Sequence, residues 1–205
     1  MSLVINKKKY QLKNSNYISE VTEKKRIIIG NTHSTDMRHY IGWNKRLNGD
    51  YKKTAMFTVC LDGKIYQHFS PNNYSLFMDD YSINETSITI VLENEGWLVK
   101  DLVDENKYIN HIGHIYNRKD SIMEKRWRNQ THWAPYSNQQ IDSTCELVKR
   151  LCLEFNIPFK AIGHNTNFDS AEQYDGILYK SNFGKYYMDI SPAWDCLKIK
   201  NRIEN

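Results

Sequence analysis

The sequence predicts a single α/β domain, a central mixed β-sheet flanked by helices. Three observations carry this. Ile27–Ile29 is a short, wholly apolar run, as expected of a central strand buried on both faces. The stretch "TAMFTVCLDGKIYQHFS" places Asp62–Gly63 between two apolar runs, a strong hairpin signal. The stretch "YSNQQIDSTCELVKRLCLEFNIP" spaces Ile141, Cys145, Val148, Cys152 and Phe155 as one helical stripe.

In chain order, residues 1–23 read as an N-terminal arm and residues 24–205 as the domain. After Ile27–Ile29, the segment Thr35–Leu47 carries Met37, Tyr40, Ile41 and Leu47 at helical spacing, and "NGD" at Asn48–Asp50 stops it. The hairpin follows, and then "SITIVLEN", Ser87–Asn94, as another buried strand. Residues 100–132 have weak periodicity and read as a surface insertion with a short helix. In the long helix, Ser137 and Gln140 are spaced as a capping box, and Pro158 lies just past the end. Two late apolar runs, "FKAIGHN" and "DGILYKSN", complete the pattern.

At 205 residues, with 40% hydrophobic and 25% charged residues, the composition is that of an ordinary globular domain. The net charge of +4 is mild and lacks the clustered basic face of a nucleic-acid binder. Cys60, Cys145, Cys152 and Cys196 form no C-x-x-C pair, so each is expected to be a small buried hydrophobe. No apolar stretch is long enough to span a bilayer. "MSLVINKKKYQLK" has no apolar run after its charge and does not read as a signal peptide, so synthesis in a host cytoplasm is expected.

The order strand, helix, hairpin, strand, insertion, long helix, strand and acidic turn resembles the type 2 N-acetylmuramoyl-L-alanine amidase fold. That fold is shared by bacteriophage lysozyme-type amidases and peptidoglycan recognition proteins. The resemblance runs from about Lys24 to Asp195 and rests on "KKRIIIGNTHS", "FTVCLDGKIYQHFSP", "NETSITIVLEN", the long helix and "GILYKSNFGKYYMDISPAWD". It implies a zinc site with three ligands. The first falls at Asn31, the second at Lys180 in "GILYK" and the third at Asp189. The family's acidic residue falls at Val91, its hairpin tyrosine near Ala55 and its lysine at Tyr187. Of this pattern only Asp189 keeps the family's chemistry.

Catalytic zinc needs three protein ligands and an open position for water. Asn is a weak neutral donor, and a lysine ammonium has no free lone pair. Asn31, Lys180 and Asp189 therefore read as a retired centre, with Lys180 and Asp189 forming an ion pair in the metal's place. A relocated site from His33, His164 and Asp189 is the alternative. His33 would share a strand face with Asn31, about 6–7 Å further on. Glu93, two residues after Val91, is the one candidate for a replacement acid. In "RWRNQTHWAPY", Trp127, Arg128, Trp133 and Tyr136 are candidate binding residues, because aromatic and Arg-rich patches are enriched at interfaces.

Three function classes follow. The first is a catalytically degenerate, peptidoglycan-related protein, acting as a structural or cell-wall-binding part of a phage tail or baseplate. Its partners would be other virion proteins and peptidoglycan, with no cofactor. The second is an active zinc amidase with the relocated site. The third is a protein-interaction scaffold with no cell-wall contact.

Overall fold

The computed structural model describes residues 3–104, 106–118, 121–163 and 170–204. Its main sheet has six strands: β1 (Ile5–Asn6), β2 (Arg26–Asn31), β3 (Phe57–Val59), β4 (Ile65–Gln67), β5 (Ser87–Leu92) and β10 (Gly176–Tyr179), in the order β1-β4-β3-β5-β2-β10. Among the described residues of this sheet only β3 and β4 pair antiparallel, so the sheet is mixed. β2 lies between β5 and β10, and Ile27, Ile28 and Ile29 are fully buried. The hairpin turns at Gly63, whose φ of +81° favours glycine.

Among the described residues, four α-helices accompany the sheet: α1 (Arg38–Lys45), α2 (Tyr81–Glu85), α3 (Asn138–Phe155) and α4 (Cys196–Glu204). α1 is shorter than its apolar spacing suggests. Asp36 and Met37 both take left-handed backbone, at φ 55° and 56°, and Leu47 leaves the helix at φ 50°. Ser137 caps α3 by accepting from the Gln140 backbone N–H at 3.0 Å. The reciprocal half of the capping box does not form. The Gln140 side chain instead donates to the Val59 and Glu93 carbonyls, both at 2.9 Å, and ties α3 to the ends of β3 and β5. α4 was not expected, although Cys196, Ile199 and Ile203 follow a helical spacing and all three are buried. The four cysteines are free and buried.

The insertion is not helical among its described residues. It builds a second, antiparallel sheet from β6 (Trp97–Lys100), β7 (Tyr108–Asn110), β8 (Met123–Trp127) and β9 (Gln130–Trp133), ordered β7-β6-β9-β8. The segment before Lys24 is integrated into the domain. Ile5–Asn6 pairs with β4, Leu12 and Asn16 are buried, and Asn16 donates to the Tyr51 carbonyl at 3.0 Å. No helix among the described residues is long and apolar enough to cross a membrane.

A buried polar chain links this segment to α1. His68 Nδ1 lies 2.7 Å from the Tyr10 carbonyl, which can only accept, so Nδ1 carries the proton. His68 Nε2 then accepts from the Thr58 hydroxyl at 2.8 Å, and Thr58 Oγ1 accepts from His39 Nε2 at 2.9 Å. Burial holds both rings neutral. It lowers the pKa of His39 to about 3, with His68 adding to the effect, and that of His68 to about 4.

Candidate functional site

The carboxyl ends of the parallel strands β5, β2 and β10 converge, as they do at ligand sites in many α/β sheets. Here a groove of about 390 Å³ opens between α1 and the loop that carries Tyr187. Asn31 ends β2, Lys180 follows β10 directly, and Val91 lies at the end of β5; all three line the groove.

Asp189 sits at the base of this convergence and is buried. Its Oδ1 lies 3.2 Å from His33 Nε2, and its Oδ2 lies 4.0 Å from Lys180 Nζ and 3.4 Å from the Asn31 backbone N–H. Burial pushes the Asp189 carboxyl up. The His33 hydrogen bond, the Lys180 charge and the Asn31 N–H outweigh this and leave it below the usual value, so the carboxylate is ionised. Gly30 makes the approach possible, because a Cβ there would stand 2.8 Å from Asp189 Oδ2.

The surrounding residues fix this carboxylate. The Tyr136 hydroxyl accepts from Asn31 Nδ2 at 3.3 Å and from the Ser191 N–H at 3.4 Å. Trp194 closes the turn onto the Ser191 carbonyl and donates its indole N–H to the Tyr179 hydroxyl. Lys180 Nζ lies 4.5 Å from the Phe77 ring centroid and 5.2 Å from that of Tyr187. The Tyr187 hydroxyl donates to Asp79 at 2.8 Å.

His33 reaches Asp189 by a route that strand alternation does not foresee. β2 ends at Asn31, and His33 takes φ 51°, which turns its ring back over the strand ends. The expected shared strand face with Asn31 is therefore absent. The ring packs edge-on to Trp97 at 5.1 Å and lies 5.4 Å from His111. Gly96 permits this: its φ is +78°, and a Cβ would overlap the His33 imidazole. Gly96→Ala is accordingly expected to displace His33 from Asp189 and to destabilise the domain by more than about 1 kcal/mol. Thermal unfolding together with the His33 ring NMR signals would check this.

The other candidates are placed differently. Glu93 does not reach the groove. Its Oε1 accepts from the Met37 N–H at 2.6 Å, beneath the start of α1, and it lines a separate depression with Cys60 and Tyr66. Burial raises its pKa. Trp133 and Tyr136 are buried and belong to the core, not to an exposed binding patch. Trp127 is half-buried. Arg128, also half-buried, donates to the Ser181 carbonyl at 2.9 Å and so joins the β8–β9 turn to the segment carrying Lys180. His164 lies outside the described residues. The sequence reading missed Phe77, Gly96 and the α1 residues Arg38 and Trp43, which no motif marks.

These donors do not fit a tetrahedral zinc. Both Asp189 oxygens are engaged, His33 Nε2 is turned onto one of them, and the third corner is an ammonium. Among the described residues, no three His, Cys, Asp or Glu side chains are grouped to hold a metal.

A family model described as N-acetylmuramoyl-L-alanine amidase matches residues 21–175. No curated protein matches in sequence. Solved structures share the fold. A mutant endolysin from Bacillus subtilis is 16% identical, with a TM-score of 0.55 over 98% of this chain and 99% of its own. The N-acetylmuramoyl-L-alanine amidase LysC from Clostridium intestinale URNW is 13% identical, with a TM-score of 0.54 over 98% of each chain. The catalytic domain of XlyA is 16% identical, with a TM-score of 0.53 over 98% and 99%.

Proposed function

The chain belongs to the N-acetylmuramoyl-L-alanine amidase family, and from that premise we propose that it binds peptidoglycan without hydrolysing it. The observation that carries this reading is Lys180, whose ammonium faces Asp189 at 4.0 Å where the family resemblance places a zinc histidine. A fixed positive charge there repels a divalent cation, and together with His33 and the Asn31 N–H it compensates the buried carboxylate. With Val91 at the family's acidic position and Glu93 held under α1, the groove's carboxylates are Asp79, bonded by Lys53 and Tyr187, and Asp189, engaged by Lys180 and His33, and neither is free to act on an attacking water. What remains is a shaped groove with aromatic walls, suited to holding a ligand.

The setting we propose is the tail or baseplate of a phage particle, made in the host cytoplasm and packed among other virion proteins. The likeness to an endolysin and to amidase LysC supports a cell-wall setting. The expected result is that the chain co-sediments with purified sacculi and releases no new amino termini. Chelator-sensitive release would overturn the reading. For the particle role, the chain should be present in purified virions, and its confinement to the soluble lysate would contradict that placement.

A second reading has one observation in its favour. His33 and Asp189 are in contact, so two members of the His33, His164 and Asp189 set are together. Under that reading the protein is an active zinc amidase, and the sacculus assay separates the two.

A further inference from the structure

The groove carries more positive charge than its own acids neutralise. Arg38, Arg46, Lys53 and Lys180 line it. Two of these cations are matched: Lys53 bonds Asp79 at 2.6 Å, and Lys180 faces Asp189. The other two stand on one wall. Arg38 opens α1 and Arg46 follows its last residue, so eight residues of helical rise set them about 12 Å apart. Both are exposed. Arg38 lies 3.2 Å from His114 Nδ1, while Arg46 donates to the Tyr51 hydroxyl at 3.3 Å and lies over that ring. Among the described residues neither guanidinium has a carboxylate within ion-pair distance. Between them the wall is Trp43, with Phe77 and Tyr187 across the groove.

Guanidinium groups recognise carboxylates as planar, two-pronged partners, and a ligand lying along this wall would meet both. We propose that Arg38 and Arg46 are specificity-determining residues that select an extended ligand bearing free carboxylates over its charge-neutralised form. Resting on the reading above, the ligand is the carboxylate-bearing peptide stem of peptidoglycan.

The test is calorimetric titration of the full chain with three probes: a soluble muropeptide with free carboxylates, the same muropeptide with its carboxylates amidated, and tri-glutamate, which has no cell-wall chemistry. The free muropeptide should bind at least about tenfold more tightly than the amidated one, and added salt should narrow the difference. The double variant R38Q/R46Q should abolish the preference while keeping the wild-type melting temperature, and R38K/R46K should restore part of it. Equal binding of the two muropeptides would overturn this inference and leave the cell-wall reading standing. Arg-dependent binding of tri-glutamate with no binding of either muropeptide would overturn the cell-wall reading and keep the selection for carboxylates. Failure of all three probes to bind would overturn both. Inorganic phosphate competing as well as tri-glutamate would show general anion binding and overturn the selection for carboxylates.

Discussion

Acidification from pH 7 to pH 4.5 is expected to remove several kcal/mol of stability, through His39 and His68. Both are buried in the chain that runs from the Tyr10 carbonyl through Thr58, and burial holds both neutral, against the hydrogen bond to the Tyr10 carbonyl, which alone would favour a charged His68. In the unfolded chain each titrates near 6.5, whereas in the folded protein the values are about 3 and about 4. A depressed folded pKa means that the stabilisation is fully present above 6.5. It is lost as pH falls from there toward the folded values, because only the unfolded chain takes up the protons. Each histidine contributes on the order of 3 kcal/mol, at about 1.4 kcal/mol per pKa unit, against a total typically near 5–15 kcal/mol. Urea unfolding at a series of pH values would measure this. A flat profile between pH 7 and pH 5 would show that the rings are not held neutral. His68→Gln should flatten the slope even if it lowers stability at neutral pH.

The second large effect concerns the aromatic stretch before α3. Trp133→Ala is expected to cost about 3–5 kcal/mol, the usual range for removing a fully buried indole. Trp133 has no exposed surface, donates its N–H to the Lys125 carbonyl at 2.8 Å and packs on Trp127 with ring centroids 5.4 Å apart. Its loss would leave a cavity at the end of β9 beside Trp127 and take the donor from the Lys125 carbonyl. Trp127→Ala, at a half-buried position, should cost less. Denaturant unfolding of the two variants would check the order. A Trp133→Ala protein as stable as wild type but deficient in binding would return this residue to a docking surface.

How far these positions were legible from sequence depended on whether local pattern or tertiary packing decided them. β2, the β3–β4 hairpin and α3 follow from period and turn chemistry alone, because each buries a continuous apolar run or stripe. The second sheet was not legible. β8 is mostly exposed and its pairing with β9 is irregular, so no alternation marks it. Trp133 and Tyr136 share the run RWRNQTHWAPY with exposed Arg126, and composition cannot tell a buried indole from a docking one.

At the site, the facing of Lys180 and Asp189 was legible through the family resemblance. The approach of His33 was not. It depends on a left-handed residue after β2 and on a glycine, Gly96, some sixty residues away that leaves room for the ring. Glu93 was misplaced for the opposite reason. Strand period puts it on the same face as Val91, but the Met37 N–H at the entry to α1 claims its carboxylate first.

The most direct test of the ion-paired centre is elemental analysis of the purified full chain after incubation with excess zinc and desalting. The expected result is zinc far below one equivalent, unchanged in Asp189→Ala. One equivalent of zinc per chain, lost in Asp189→Ala or His164→Ala, would contradict the ion-paired centre and establish the relocated metal site in its place.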